Sequence, residues 1–275
     1  MIIHLKTING IKIQCTEGEN KILSLNDDLY IYKAINRELD QMKNVILNDQ
    51  LVYPKLFYTE YFHVYKNEHS KIFKDNKLRH DITVMSGDLA GIEFMKTYGH
   101  YHEILDGTNT PAPEIIEILH GNAILILQKP NKITEDKKDS INDMYDFGNI
   151  TDVHIFKLKT GDAFVIPPHY GHIIVNQKPT VLVFSSLISA RAKSIYNGIF
   201  NYKGGAYYVI KKNAKQVLVQ NPHYKHVPKI KKVKKWAYNN IINNKKIPTY
   251  SHFINNPEKY SWINNPEEFN WEQFA

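Results

Sequence analysis

The sequence predicts a mainly β protein, a sandwich or barrel that follows a strand-and-helix extension and precedes a short helical tail. Three observations carry this. Between about Leu51 and Val219 the chain is a series of short β-like runs with Gly, Pro, Asn and Asp between them, the spacing of an all-β domain. Tyrosine is abundant, 18 of 275 residues, which suits half-buried strand faces better than a helical bundle. Apolar residues at three-and-four spacing are concentrated in one segment near the start.

Taken in order, MIIHL and IKIQC alternate as short strands. LYIYKAINRELDQMKNVI, residues 29–46, has helical spacing, with Asn26 or Asp27 available as N-cap. The runs FHVYK, DITVM, IEFMK, EIIEIL, AILILQ, VHIFKLK, AFVIP, HIIVN, TVLVFSSL and YYVIK then read as strands. The polar stretch Lys129 to Thr151 reads as an excursion between two of them. Beyond Pro228 the composition turns to Lys, Asn and aromatic residues, and two near-copies, FINNPEKY and WINNPEEF, stand in tandem. Each offers Asn as N-cap, Pro at the first helical position and Glu in the first turn, so each starts a short helix. Two copies are too few for a solenoid, and their aromatics are expected to pack on the β domain. The organisation expected is a strand/helix extension over 1–60, the β domain over 61–222 and a basic, Asn- and aromatic-rich extension over 223–275.

A hydrophobic fraction of 43% and a charged fraction of 23% are those of a soluble globular protein. Much of the net charge of +7 lies in KHVPKIKKVKK, Lys225 to Lys235. No nucleic-acid fold accompanies that run, so it reads as a solvated linker rather than a nucleic-acid or phospholipid surface. Cys15 is the only cysteine, which excludes an internal disulfide and a cysteine-rich metal site. With neither a signal-like start nor an apolar stretch of transmembrane length, a cytoplasmic protein without a membrane partner is expected.

The chemistry lies in GHYHEILDGTNTPAPEIIEILHG, Gly99 to Gly121. Side chains two apart share a face only on an extended chain, so His100 and His102 converge only if this segment is a strand. A second segment, GDAFVIPPHYGHIIVN, places His172 at the head of an alternating run. Three imidazoles and a carboxylate, Glu114, suit one divalent ion such as Fe, Zn, Mn or Ni, with positions left open for substrate.

The ordered set His100, His102, Glu114, Gly121, then Gly161, Pro167, His172 and Asn176 resembles the two motifs of the cupin family, a double-stranded β-helix or jelly-roll barrel around a metal. RHDITVMSG, MKTYGHYH, PEIIEILHGNAILILQ, VIPPHYGHIIVN and VLVQNP narrow the resemblance to the archaeal-type phosphoglucose isomerases, over roughly Leu78 to Pro222. That resemblance implies metal ligation by His100, His102, Glu114 and His172, with Glu114 also the proton-transfer base between C1 and C2 of a phosphosugar. It implies phosphate contacts at Thr83, Thr97 and Gly99, a cleft-closing Tyr196, and a homodimer. There are departures. LDGTNTPAP lengthens the stretch between His102 and Glu114, and His169 replaces a customary glycine. Ile116 stands where the family has tyrosine, and Ser194 where it has a substrate-facing histidine. Arg191 and Lys193 nearby are cationic and available for phosphate. A different cupin sugar enzyme such as an epimerase, an Fe(II) dioxygenase, and a non-catalytic metal- or sugar-binding cupin stay open at this point.

Overall fold

The computed structural model describes residues 2–5, 11, 13–16, 20–24, 28–134, 136, 140–230 and 247–271. Two sheets make the barrel. One has six strands in the order Ala163–Ile166, Glu114–His120, Leu182–Ser189, Leu78–Met85, Leu56–Phe62 and Lys33–Glu38, all neighbours antiparallel. The other has three, Tyr145–Lys159, Asn122–Lys132 and Gly171–Asn176, also antiparallel. Neighbours distant in sequence, such as Glu114–His120 beside Leu182–Ser189, mark the jelly-roll crossing expected of the cupin fold.

Both faces of the central strands of the six-stranded sheet are buried, so these strands read as nearly continuous apolar runs, whereas the edge strand Lys33–Glu38 is exposed. Alternation sorts the residues between the faces. Ile116, Ile118, Phe184 and Met85 join the barrel interior, where Leu125, Ile173 and Phe164 also lie. Ile115, Leu119, Ile82, Val84 and Leu187 point outward into a second core. That core is covered from two directions: by Ile3, Leu5, Ile13 and Cys15 of the N-terminal strands, and by Tyr250, Phe253, Tyr260, Trp262 and Ile263 of the tail.

The tail behaves as its sequence suggests. A helix over Thr249–Asn255 leads to 3-10 segments over Pro257–Ile263 and Pro266–Glu268, with Asn256 and Asn265 in the capping positions. Its aromatics pack on the barrel, and the backbone N–H of Thr249 donates to buried Glu117, 2.8 Å away. Of the basic run, residues 231–235 lie outside the described residues, as do Asn26 and Asp27.

The segment expected to be helical over 29–46 is mostly extended. Leu29–Tyr30 and Lys33–Glu38 are strands, and only Leu39–Met42 is α-helix. The helical spacing is real only at its end, where Leu39, Met42, Val45 and Ile46 are buried together. Earlier, the aromatic and β-branched Tyr30, Ile31, Tyr32 and Ile35 favour a strand, and pairing with Leu56–Phe62 decides it. The helix starts at Glu38, whose backbone N–H donates to Gln41 Oε1. The excursion from Lys129 is also shorter than expected. Its flanking strands pair up to Lys132 and Tyr145, with register shifts around Pro130. Among the described residues no helix is long and apolar enough to cross a membrane.

Candidate metal centre and substrate pocket

The strand Glu114–His120 supplies Glu114 from the six-stranded sheet, and Gly171–Asn176 supplies His172 from the other. The segment carrying His100 and His102 joins them. His100 and His172 form an antiparallel bridge, with the N–H of His172 donating to the His100 carbonyl at 3.0 Å. Register slips by one residue between the Lys96–Val175 and His100–His172 bridges. Gly99 lies within this slip with φ +81°, and a Cβ there would come within 2.5 Å of Ile173 Cγ1. Glycine is required both for the backbone conformation and for the close approach.

Beyond the slip the chain is extended, as the two-residue spacing requires. The Nε2 atoms of His100 and His102 lie 3.2 Å apart. Glu114 Oε2 is 3.4 Å from His102 Nε2 and 3.2 Å from His172 Nε2. One ligand atom from each of the four residues falls within 4.8 Å of the others. His102, Glu114 and His172 are buried. His102 Nδ1 lies 2.7 Å from the Ala112 carbonyl, so that nitrogen carries the proton and Nε2 presents its lone pair to the cluster. Ala112 belongs to the lengthened 103–113 loop, so the insertion that departs from the motif orients a ligand.

Electrostatics agree with a cation site. Burial first, then His172 and His102, hold His100 well below its ordinary value. His172 is pushed down to about 4, chiefly by burial, with Glu114 opposing. Burial alone would raise Glu114, but His172, His102 and His100 together hold its carboxyl well below the usual range. Neutral imidazoles beside an ionised carboxylate are the protonation states a divalent ion needs. Glu114 Oε2 is buried and without a hydrogen-bond partner, which is costly unless something positive occupies the cluster. The donor set fits a divalent metal.

The cluster forms the floor of a pocket whose wall is the inner face of the six-stranded sheet. Register places the wall in rungs. Glu114 lies beside Ile188 and then Arg79; Ile116 beside Ser186 and then Asp81; Ile118 beside Phe184, Thr83 and then Glu60. Arg37 pairs with Tyr58 at the far edge. Thr83, Thr97, Gly99 and Tyr196 all line this pocket. Tyr196 stands edge-on to Tyr98 with ring centres 5.3 Å apart, and 5.8 Å from the His100 ring. The departures Ile116 and Ser194 also line it, and Ser194 is the cross-strand partner of His102. His169, in place of a customary glycine, has φ +71°, the left-handed region that explains why glycine suits the position.

Arg191 and Lys193 are elsewhere. Arg191 donates to the carbonyls of Asp106 and Asn264, and Lys193 Nζ lies 3.3 Å from the Asp106 carboxylate. The 103–113 loop and the tail claim these cations, so neither lines the pocket. Conversely, Arg37, Tyr58, Glu60, Arg79 and Asp81 line it without having been expected there. Their signal was polar residues at alternate positions on apolar strands, as in Arg79, Asp81 and Thr83. Burial pushes Glu60 up to about 7 and Asp81 up to about 6, with Arg79 opposing in both cases.

Comparisons with known proteins bear on the family. Two curated relatives named glucose-6-phosphate isomerase, from Thermococcus litoralis and Pyrococcus furiosus, are 25% and 26% identical over 152 residues, 55% of this chain and 67% of each relative. Among solved structures, hazelnut vicilin (Corylus avellana) overlaps at TM-score 0.34 and 11% identity, covering 52% of this chain and 33% of that one. An oxalate decarboxylase from Lactobacillus farciminis overlaps at 0.28 and 18% identity, covering 46% and 28%. This chain thus spans about a third of the vicilin, and overlaps this partial add nothing to the strand order. The family model described as glucose-6-phosphate isomerase (GPI) matches residues 33–227, from the edge strand beside the pocket to the end of the barrel, and the chain belongs to that family.

Proposed function

We propose that the chain interconverts glucose 6-phosphate and fructose 6-phosphate, with one divalent metal, Fe, Zn, Mn or Ni, held by His100, His102, Glu114 and His172. The observation that carries this is the convergence of those four ligand atoms within 4.8 Å at the floor of a pocket, in a chain of this family. A metal bound there supplies charge stabilisation for adjacent substrate oxygens as an enediolate develops.

The remaining work falls to the chain's own groups. Glu114 takes the proton from one of C1 and C2 and returns it to the other. His102 keeps its orientation through the Ala112 carbonyl. Ile116, Phe184 and Ile188 form an apolar wall that excludes water from the proton in transit. Thr97 Oγ1 accepts from the Ile174 N–H at 3.0 Å, which leaves its own proton to donate to a phosphate oxygen. Thr83 and the Gly99 backbone line the same pocket. Tyr196, partly exposed, closes the rim. Arg191 and Lys193 are engaged with Asp106 and carry no part of this.

A phosphosugar does not cross membranes unaided, so the proposed site of action is the cytoplasm. A homodimer is also proposed. The six-stranded sheet ends on Lys33–Glu38, and an open sheet edge of this kind invites pairing. Light scattering at micromolar concentration should report twice the chain mass; a monomer would remove the dimer from the proposal. The test of the activity is an anaerobic screen of phosphosugars against metal-reconstituted protein. Glucose 6-phosphate should be converted to fructose 6-phosphate without oxygen uptake, and failure with every phosphosugar would refute an isomerase.

A further inference from the structure

Two guanidinium groups line the pocket, and their surroundings differ. Arg79 Nε lies 2.8 Å from Asp81 Oδ2, so that charge is matched within the wall. No ion pair joins Arg37 to a carboxylate among the described residues; its Nε, like that of Arg79, is buried without an aligned hydrogen-bond partner. Glu60 is the carboxyl one rung away on the neighbouring strand. Burial pushes it up to about 7, with Asp81 and Glu114 adding and Arg79 and Arg37 opposing.

Arg37 is also aimed. Its guanidinium carbon lies 5.5 Å from the centre of the Tyr98 ring and 6.0 Å from that of Tyr58. The backbone N–H of Tyr98 donates to the Tyr58 hydroxyl at 3.3 Å, which ties the two rings together. Tyr98 sits between Thr97 and Gly99, so the ring that receives the guanidinium belongs to a segment that lines the pocket. Stacking on aromatic faces fixes the plane of a guanidinium before any ligand arrives.

We propose that Arg37, reaching in from the edge strand Lys33–Glu38, binds the phosphoryl group of the substrate opposite Thr97 and Gly99. The proposal deepens the phosphosugar reading and rests on it. A planar fork of N–H donors matches two phosphoryl oxygens, and a pre-set, half-buried fork gives up less freedom on binding. Glu114 and Arg37 come from strands four steps apart in one sheet, roughly 19 Å laterally at the usual strand spacing, and the register also sets them six residues apart along the strands, from the Arg79 rung to the Met85 rung. Long side chains and the curvature of the barrel bring their functional atoms inward from the two ends of one pocket. The reacting carbons and the phosphate of a hexose phosphate are likewise at opposite ends of the molecule.

The test is calorimetric titration of inorganic phosphate into metal-loaded wild type, Arg37→Met and Arg37→Lys, each checked for metal content and thermal melting. Arg37→Met should weaken phosphate binding by roughly 10- to 100-fold, the range for a charge-assisted contact, with metal content unchanged. Arg37→Lys, which keeps the charge and loses the fork, should fall between. In turnover, KM for glucose 6-phosphate should rise by a similar factor while kcat holds. Phosphate affinity unchanged in folded Arg37→Met would overturn the proposal, since phosphate would then be bound by the metal or by the threonines alone. So would a wild type that does not bind phosphate at millimolar concentration. Should the Met variant melt or fail to load metal, unchanged affinity in Arg37→Lys overturns the proposal, and a several-fold loss supports it. Arg37-dependent phosphate binding without isomerisation would keep the clamp and sink the isomerase. Isomerisation with a KM indifferent to Arg37 would do the reverse.

Discussion

Glu114 carries two demands that compete: it lies 3.2 Å from His172 Nε2 and 3.4 Å from His102 Nε2, within the proposed metal site, yet it is also the proposed proton-transfer base. Glu114→Gln separates them. With metal saturating, turnover is expected to fall by roughly a hundred- to ten-thousandfold, the usual cost of a lost general base, while metal affinity falls far less. Solvent deuterium incorporation at C1 or C2 should fall with it, and near-normal turnover would remove the base assignment. These ligands were legible in the sequence because strand alternation alone decides that His100 and His102 share a face. Arg37 and Glu60 were not. Arg37 stands among Lys33, Asn36 and Glu38 in a segment whose spacing predicts helix, and Glu60 beside Thr59; only the lateral pairing of Arg37 with Tyr58 and of Glu60 with Thr83 turns them into a pocket wall. The Ala112 carbonyl on His102 was equally hidden, since backbone acceptors leave no trace in residue type.

At the scale of elements, Gly99 and the contact between Glu117 and the tail carry the sharpest tests. Gly99→Ala places a methyl 2.5 Å from Ile173 Cγ1 at φ +81°. The variant should bind metal more weakly as His100 is displaced, which metal analysis would show. Glu117 faces the outer core and accepts from Thr249; burial pushes it up to about 7, with the Thr249 contacts opposing. A carboxyl raised in the fold contributes stability that is present below its unfolded value, near 4.5, and lost as pH rises through about 7. Glu117→Gln keeps an acceptor and removes the titration. It should therefore be near-neutral at pH 5 and more stable than wild type at pH 8, by about 1–3 kcal/mol, measured by urea midpoints. Wild-type and variant midpoints that run parallel from pH 5 to pH 8 would contradict this. The tail's helix starts were readable from Asn-Pro-Glu, whereas residues 29–46 were misread in part. Helical spacing at Leu39, Met42 and Ile46 adjoins a strand that only its pairing with Leu56–Phe62 defines.

Across the whole molecule, one sheet separates two jobs. Its inner face carries Glu114 and lines the pocket, and its outer face is sealed by the N-terminal strands and the tail. Phe253, fully buried on the outer side, can therefore be changed without touching the chemistry. Phe253→Ala should cost about 3–5 kcal/mol of stability, while the folded fraction keeps its metal and its KM; a thermal melt and a metal assay on one sample check both. The central claim is that a single metal on His100, His102, Glu114 and His172 makes this chain an isomerase. The most direct measurement titrates divalent metal into chelator-treated protein while following conversion of glucose 6-phosphate to fructose 6-phosphate. Turnover should rise from near zero and break at one metal per chain, and the His100→Ala, His102→Ala double variant should stay inactive throughout. Full turnover in the chelated protein, or a metal-saturated wild type with no turnover, would contradict it.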